Sequence, residues 1–207
     1  MKKIIYTLFI FPLFMFSQQL SVADGATLTI GTSGSMTVSS SITTNNTGTI
    51  LITTSRANSG SLIAKSAGAD QGKGITLRRE VDGSNEWTLL GIPVTGEVSS
   101  DIDDNLRTDG SGNSAIGHFD PTTGQGEYVY YTTNAERQLI NGRGYLVSPT
   151  SSGNVDITGA MPSTTVLYEL QDGTGTYGNW NLHSRIRLPI NRFLLYGRSH
   201  CRYRYGA

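Results

Sequence analysis

Cysteine is almost absent from this 207-residue chain: the single one, Cys201, lies close to its end. The body is therefore expected to hold no disulfide and to rely on packing and backbone ladders. Long apolar runs are missing as well. The longest, Ile4 to Phe16, falls short of the roughly 20 residues a membrane helix needs, so no transmembrane span is expected in a mature chain. Basic residues are scarce in the body. All 16 acidic residues lie between Asp24 and Asp172, against eight basic ones, a net charge of −8. That balance argues against nucleic acid as a partner of the body. The last 25 residues reverse it, with six arginines and no acid. No serine sits in a nucleophile-elbow pattern, and two of the three histidines fall in the tail. No catalytic constellation is legible, and the chain reads as a non-enzyme.

What is present begins with a leader. Lys2 and Lys3 precede the Ile4–Phe16 run, the pattern of a signal peptide over residues 1–18, with cleavage near Ser17–Gln18. Met15 is not the small residue such sites favour. Export follows from this, and with no cysteine after the run a lipid anchor is not expected.

Residues 19–77 are rich in Gly, Ser and Thr and alternate apolar with small polar residues: Leu28 and Ile30, Met36 and Val38, Ile50 and Ile52, Ile75 and Leu77. Period-2 alternation predicts strands. Gly34, Gly48, Gly60 and Gly74 recur at steps of 14, 12 and 14. Such spacing suits stacked coils of a β-solenoid or an antiparallel meander; the composition also suits a disordered stalk. From residue 78 to 182, charges and large aromatics appear. "EWTLLGI", "SAIGHF", "EYVYYT", "GYLVS", "NVDIT" and "TVLYEL" read as strands between turn-rich segments, which points to a β-sandwich. "FDPTTGQGEYVYYT" reads as a hairpin, and "VSSDIDDNL" as one short helix capped by Ser99 or Ser100. The expected class is all-β: an N-terminal β-solenoid-like segment followed by an incomplete β-sandwich-like domain and, over 183–207, a basic tail.

Few motifs carry chemistry. "GTGTYG", Gly173–Gly178, has GxGxxG spacing but leads into the strand-like "NWNL" rather than a helix, so it reads as a glycine turn. "GADQGKG" is an incomplete phosphate loop. Asp101, Asp103, Asp104, Asp109 and Asn113 gather oxygen ligands within 13 residues; Ca²⁺ is the ion such a set would take, with Asp101, Asp103 and Asp109 the candidates. No carboxylate occupies the bidentate closing position, and the plain alternative is a solvated acidic loop. His118 and Asp120 share a strand face, the geometry of an acid–base dyad in a small hydrolase, which requires a nucleophile converging on them. Trp87 or Trp180 would serve as a sugar platform if exposed, and as core if not; an exposed Trp87 or Tyr131 over a groove would favour carbohydrate binding, and burial of both a structural role.

The blocks "GSLIAKSAG", "ITLRREVDGSNEWTLLGIPVTGE", "AIGHFDPTTGQGEYVYYT", "INGRGYLVS" and "GNVDITGAMPSTTVLYEL", ending in "GNWNL", resemble the large surface or secreted proteins of Bacteroidetes, flavobacteria above all, that leave through the type IX secretion system. The resemblance covers roughly Ala23–Leu182 and implies location more than activity. In such proteins the second tryptophan block continues as Trp-Asn-Leu-Ile-Gly-Asn-Pro and a carboxyl-terminal sorting domain follows. Here agreement stops at Leu182, where the charge bias flips. A shifted reading frame accounts for all of this: one choice of codons for Leu188–Phe193 reads Tyr-Pro-Ser-Ile-Asp-Phe one base later. The alternatives are a disordered tail or a polybasic segment gripping anionic surfaces. A chain cut short in this way leaves a strand edge unpaired and is expected to be poorly soluble. The expected role is that of a non-enzymatic surface or secreted protein, structural or adhesive; the alternative is a carbohydrate-binding or accessory region of a secreted glycan-degrading enzyme. Partners are expected among extracellular glycans or cell-surface components. The full-length form is expected outside the cell or on its surface, and a form without the sorting domain in the periplasm.

Overall fold

The computed structural model describes residues 19–67, 74–83, 87–132, 136–162, 174–177, 180–184, 193–195 and 199–203. The leader, most of "GADQGKG" and the expected strand "TVLYEL" lie outside these. The fold is all-β, and its strands form three four-stranded sheets and one two-stranded sheet.

Six strands open the chain: β1 (Leu20–Val22), β2 (Thr27–Ile30), β3 (Ser35–Thr44), β4 (Thr49–Thr54), β5 (Ser61–Ala67) and β6 (Ile75–Val81). Odd strands pair with odd and even with even, all parallel. The chain thus alternates between two sheets, and like falls on like: Leu28 faces Ile50, which faces Ile75, and Ile30 faces Ile52, which faces Leu77. On the other sheet Met36 faces Leu62 and Val38 faces Ala64. These ladders bury Ile50, Ile52, Leu62 and Leu77 almost completely, the strongest favourable term available to a segment with so few large side chains. Parallel pairing excludes the antiparallel meander and the disordered stalk for the described residues. The glycine spacing marks successive strands rather than successive coils. Gly48 shows why glycine is required at such a turn: a Cβ there would lie 2.5 Å from the Ala23 carbonyl oxygen and 2.8 Å from that of Val22.

The boundary expected after Leu77 falls inside β6. β11 (Gly153–Gly159) pairs antiparallel with the whole of β6, so "NVDIT" extends the first region instead of joining a separate sandwich. Arg78 and Asp156 form a bidentate pair across this junction at 2.8 and 2.7 Å, beside a Thr76–Thr158 contact at 3.1 Å.

The third sheet is antiparallel, built from β7 (Thr88–Gly91), β8 (Asn113–Asp120), β9 (Glu127–Thr132) and β10 (Gly144–Val147) in the order β7-β10-β8-β9. The β8–β9 hairpin forms as its turn residues imply. Asp120 holds that turn, accepting from the Thr122 amide at 2.8 Å and the Thr123 hydroxyl at 3.0 Å. The inner face carries Leu90, Ile116, Tyr145 and Val147, all buried against Ile92, Val94, Ile102, Leu106 and Leu139. The single helix expected at Val98–Leu106 is instead two short 3₁₀ turns, Ser99–Asp101 and Asp103–Asn105. Val98 occupies the N-cap without a side-chain hydrogen bond, and Ser99, expected as a cap, receives the Arg137 amide at 3.3 Å. Asp and Asn so placed favour local turns over helix propagation. In the tail, β13 (Phe193–Leu195) pairs with β5, and β14 (Ser199–Tyr203) pairs with β12 (Trp180–Ser184). Among the described residues no helix is long and apolar enough to cross a membrane.

Candidate carbohydrate-binding groove

The outer face of the antiparallel sheet is aromatic. β9 alternates, so Tyr128 and Tyr130 point outward while Val129 and Tyr131 point inward. Trp87, just before β7, meets Tyr130 with ring centroids 5.7 Å apart and planes tilted by 45°. Tyr130 stacks on Tyr128 at 6.4 Å, and Tyr128 meets Phe119 edge-on at 5.4 Å. Trp87 and Tyr130 are 46 % and 42 % exposed. Gly117 makes room for this row: a Cβ there would lie 3.0 Å from Tyr130 Cδ1 and 2.8 Å from the Val129 carbonyl oxygen. The β8–β9 register shifts between Ser114 and Gly117, so that Gly117 falls opposite Tyr130.

Trp87 and Tyr130 form one side of an open groove of about 420 Å³ whose other walls include Arg107, Asp109, Asn113 and Ser114. Arg107 donates from Nε to the Pro149 carbonyl at 3.1 Å and from Nη2 to the Gly83 carbonyl at 2.9 Å, which fixes the plane of its guanidinium. Asp109 folds its own loop. One carboxylate oxygen accepts from the Ser111 and Asn113 amides at 2.9 and 2.8 Å, the other from Asn113 Nδ2 at 2.9 Å. The Asn113 side chain and then its amide hold the Asp109 carboxyl below its ordinary pKa, so it is ionised at neutral pH. Ser114 is 1 % exposed and its hydroxyl has no hydrogen-bond partner. A mainly apolar groove with a few polar groups beside exposed, tilted rings is suited to stacking a sugar ring while those groups meet its hydroxyls.

Of the residues singled out in the sequence, Trp87 is in the groove. Tyr131, adjacent to the ring that is actually there, is not. It is 4 % exposed on the inner face, its hydroxyl 3.2 Å from His118 Nδ1 and its ring under the Arg137 guanidinium at 5.3 Å. Trp180 lies in β12 opposite Tyr203. Tyr130, Ser114 and Gly117 were missed; the glycine inside "AIGHF" was the available signal for Tyr130. His118 and Asp120 make their hydrogen bonds to different partners. His118 contacts Tyr131, and burial foremost, with Arg143 adding, pulls its pKa below the ordinary value. Asp120 is committed to its turn.

The calcium candidates separate. Asp109 lines the groove, while Asp101 lines a second, polar cavity of about 440 Å³ with Arg78, Asn105 and Asp156; Asp103 lies in the second 3₁₀ turn. Among the described residues no three His, Cys, Asp or Glu side chains gather as a metal site. Near that second cavity sits a residue the sequence did not flag, Glu97, 1 % exposed. Its carboxyl accepts from the Val98 amide at 3.1 Å and from the Thr158 amide. Burial, reinforced by Asp101 and opposed by those two amides, pushes its pKa up to about 7. "GTGTYG" is a turn where described: the Tyr177 amide donates to the Gln125 carbonyl at 2.7 Å, and a strand follows.

No curated protein and no solved structure matches the chain. A family model described as a domain of unknown function (DUF8693) matches residues 11–186, and the chain, with its aromatic groove, belongs to that family.

Proposed function

We propose that this is a non-enzymatic, exported surface or matrix protein with an adhesive role, and that it holds glycan in the Trp87–Tyr130 groove. One observation carries the reading: two exposed aromatic rings 5.7 Å apart border a groove with a few polar groups in its walls. Exposed aromatics of this kind are unusual on a surface that has no use for them. The two parallel sheets support a β-solenoid-like stalk that positions the groove, and the antiparallel sheet supports an incomplete sandwich beyond it. The leader and the resemblance to type IX secretion cargo support a surface or secreted location for the full-length form, and a periplasmic one without a sorting domain. The family match ends at residue 186, four residues past Leu182, which supports a frameshifted tail; resequencing the gene from the codon of Gly178 onward tests this. The same groove suits an accessory region of a secreted glycan-degrading enzyme.

Tryptophan fluorescence tests the reading. The chain has two tryptophans, so a Trp180→Phe variant reports Trp87 alone. Addition of a bound polysaccharide is expected to shift its emission, and Tyr130→Ala is expected to weaken binding at least tenfold, from base rates for stacked rings. A panel of neutral and acidic polysaccharides that leaves the emission unmoved removes the glycan role.

A further inference from the structure

We infer that the groove takes a single soluble chain of uncharged sugars, neither an acidic glycan nor the flat face of a crystalline polysaccharide. This rests on the glycan reading above. Two observations narrow the ligand.

The first is ring geometry. A crystalline polysaccharide presents a plane and calls for coplanar rings. Here the Trp87 and Tyr130 planes diverge by 45°, and the row continues through Tyr128 to an edge-on Phe119. Such a bent platform follows one twisted chain, with neighbouring sugar rings stacking on rings of different tilt.

The second is charge. Arg107 and the ionised Asp109 both line the groove, so their charges balance locally. A uronate entering the groove would meet repulsion from Asp109 that offsets its attraction to Arg107, and would lose the hydration of its own charge. A neutral sugar meets neither cost, and its hydroxyls both donate and accept, which suits an Asp, an Arg and an Asn side by side.

The experiment is affinity electrophoresis of the purified chain through gels holding soluble β-glucan, xylan or galactomannan, and through gels holding alginate or polygalacturonate, with pull-down on microcrystalline cellulose. Retardation is expected in at least one neutral gel, lost in Trp87→Ala, with no retardation in the acidic gels and no pull-down. Trp87-dependent retention on an acidic polysaccharide or on cellulose overturns this inference and leaves the glycan reading standing. No Trp87-dependent retention anywhere overturns the glycan reading itself.

Discussion

The parallel stack and the antiparallel sheet each bury one face, but they treat the other face differently. In β2 and β3 the exposed residues are small and uncharged, among them Thr27, Thr29, Ser35 and Thr37, and charge enters at β6 with Arg78 and Glu80. In the sheet the exterior holds Phe119, Tyr128, Tyr130 and Trp87. Regular stacking demands that each position tolerate its own neighbour above and below, which rewards aliphatic ladders inside and short polar side chains outside. Both regions carry a register shift, between Val38 and Ser41 in the stack and between Ser114 and Gly117 in the antiparallel sheet; the second sets Gly117 opposite Tyr130, where the absent side chain leaves room for a large ring.

The largest effects on stability should come from the stack's interior. Ile52 is fully buried between Ile30 and Leu77, and Ile52→Ala should cost about 2–5 kcal/mol in urea unfolding. Trp87→Ala, at a half-exposed position, should cost well under half as much while removing binding. Equal losses in both would break the distinction between support and site.

The junction between the regions should respond to pH. Glu97 ties the segment after β7 to Thr158 of β11, and its folded pKa of about 7 lies above the unfolded value of 4.5. Between those values the folded state holds a proton that the unfolded chain releases. Stability is therefore fully present below about pH 4.5 and falls as pH rises through 7, by about 1–3 kcal/mol. Denaturant unfolding at pH 5 and pH 8 measures the drop, and Glu97→Gln should abolish it. A slope that survives Glu97→Gln belongs to another group.

The smallest effect is expected from the Arg78–Asp156 pair, whose side chains are 42 % and 40 % exposed. A double-mutant cycle to alanine should give a coupling of about 0.2–1 kcal/mol, because solvent screens half-exposed charges. A larger coupling would make this bridge, rather than β6–β11 backbone pairing, the principal tie between the two regions.

Much of the fold was legible because strand alternation is local. Leu28, Ile30, Ile50 and Ile52 declare their face by spacing, and Asp120 to Glu127 declare a hairpin by their turn residues. The partner of β6 was not legible. "NVDIT" is compatible with any strand edge, and only its position after β10 brings it to β6 some 70 residues earlier. The groove is half legible: Trp87 is visible as a possible platform, but Tyr131, the other candidate, turns inward, a direction that depends on which face of β9 meets Ile116 and Tyr145. Asp101 and Asp109 stand close in sequence, yet two tight turns and a buried Leu106 send them to different cavities.

By itself the sequence determined the all-β class, the acidic body and the abrupt change of charge after Leu182, since each depends on composition or on a period of two. Tertiary structure alone decided that the first strands run parallel, that β11 joins β6, that Tyr130 rather than Tyr131 meets Trp87, and that Ser114 is buried without a partner. These depend on which distant backbone edges hydrogen-bond, and that is settled by simultaneous packing of both faces of every strand, information no single stretch of the chain contains.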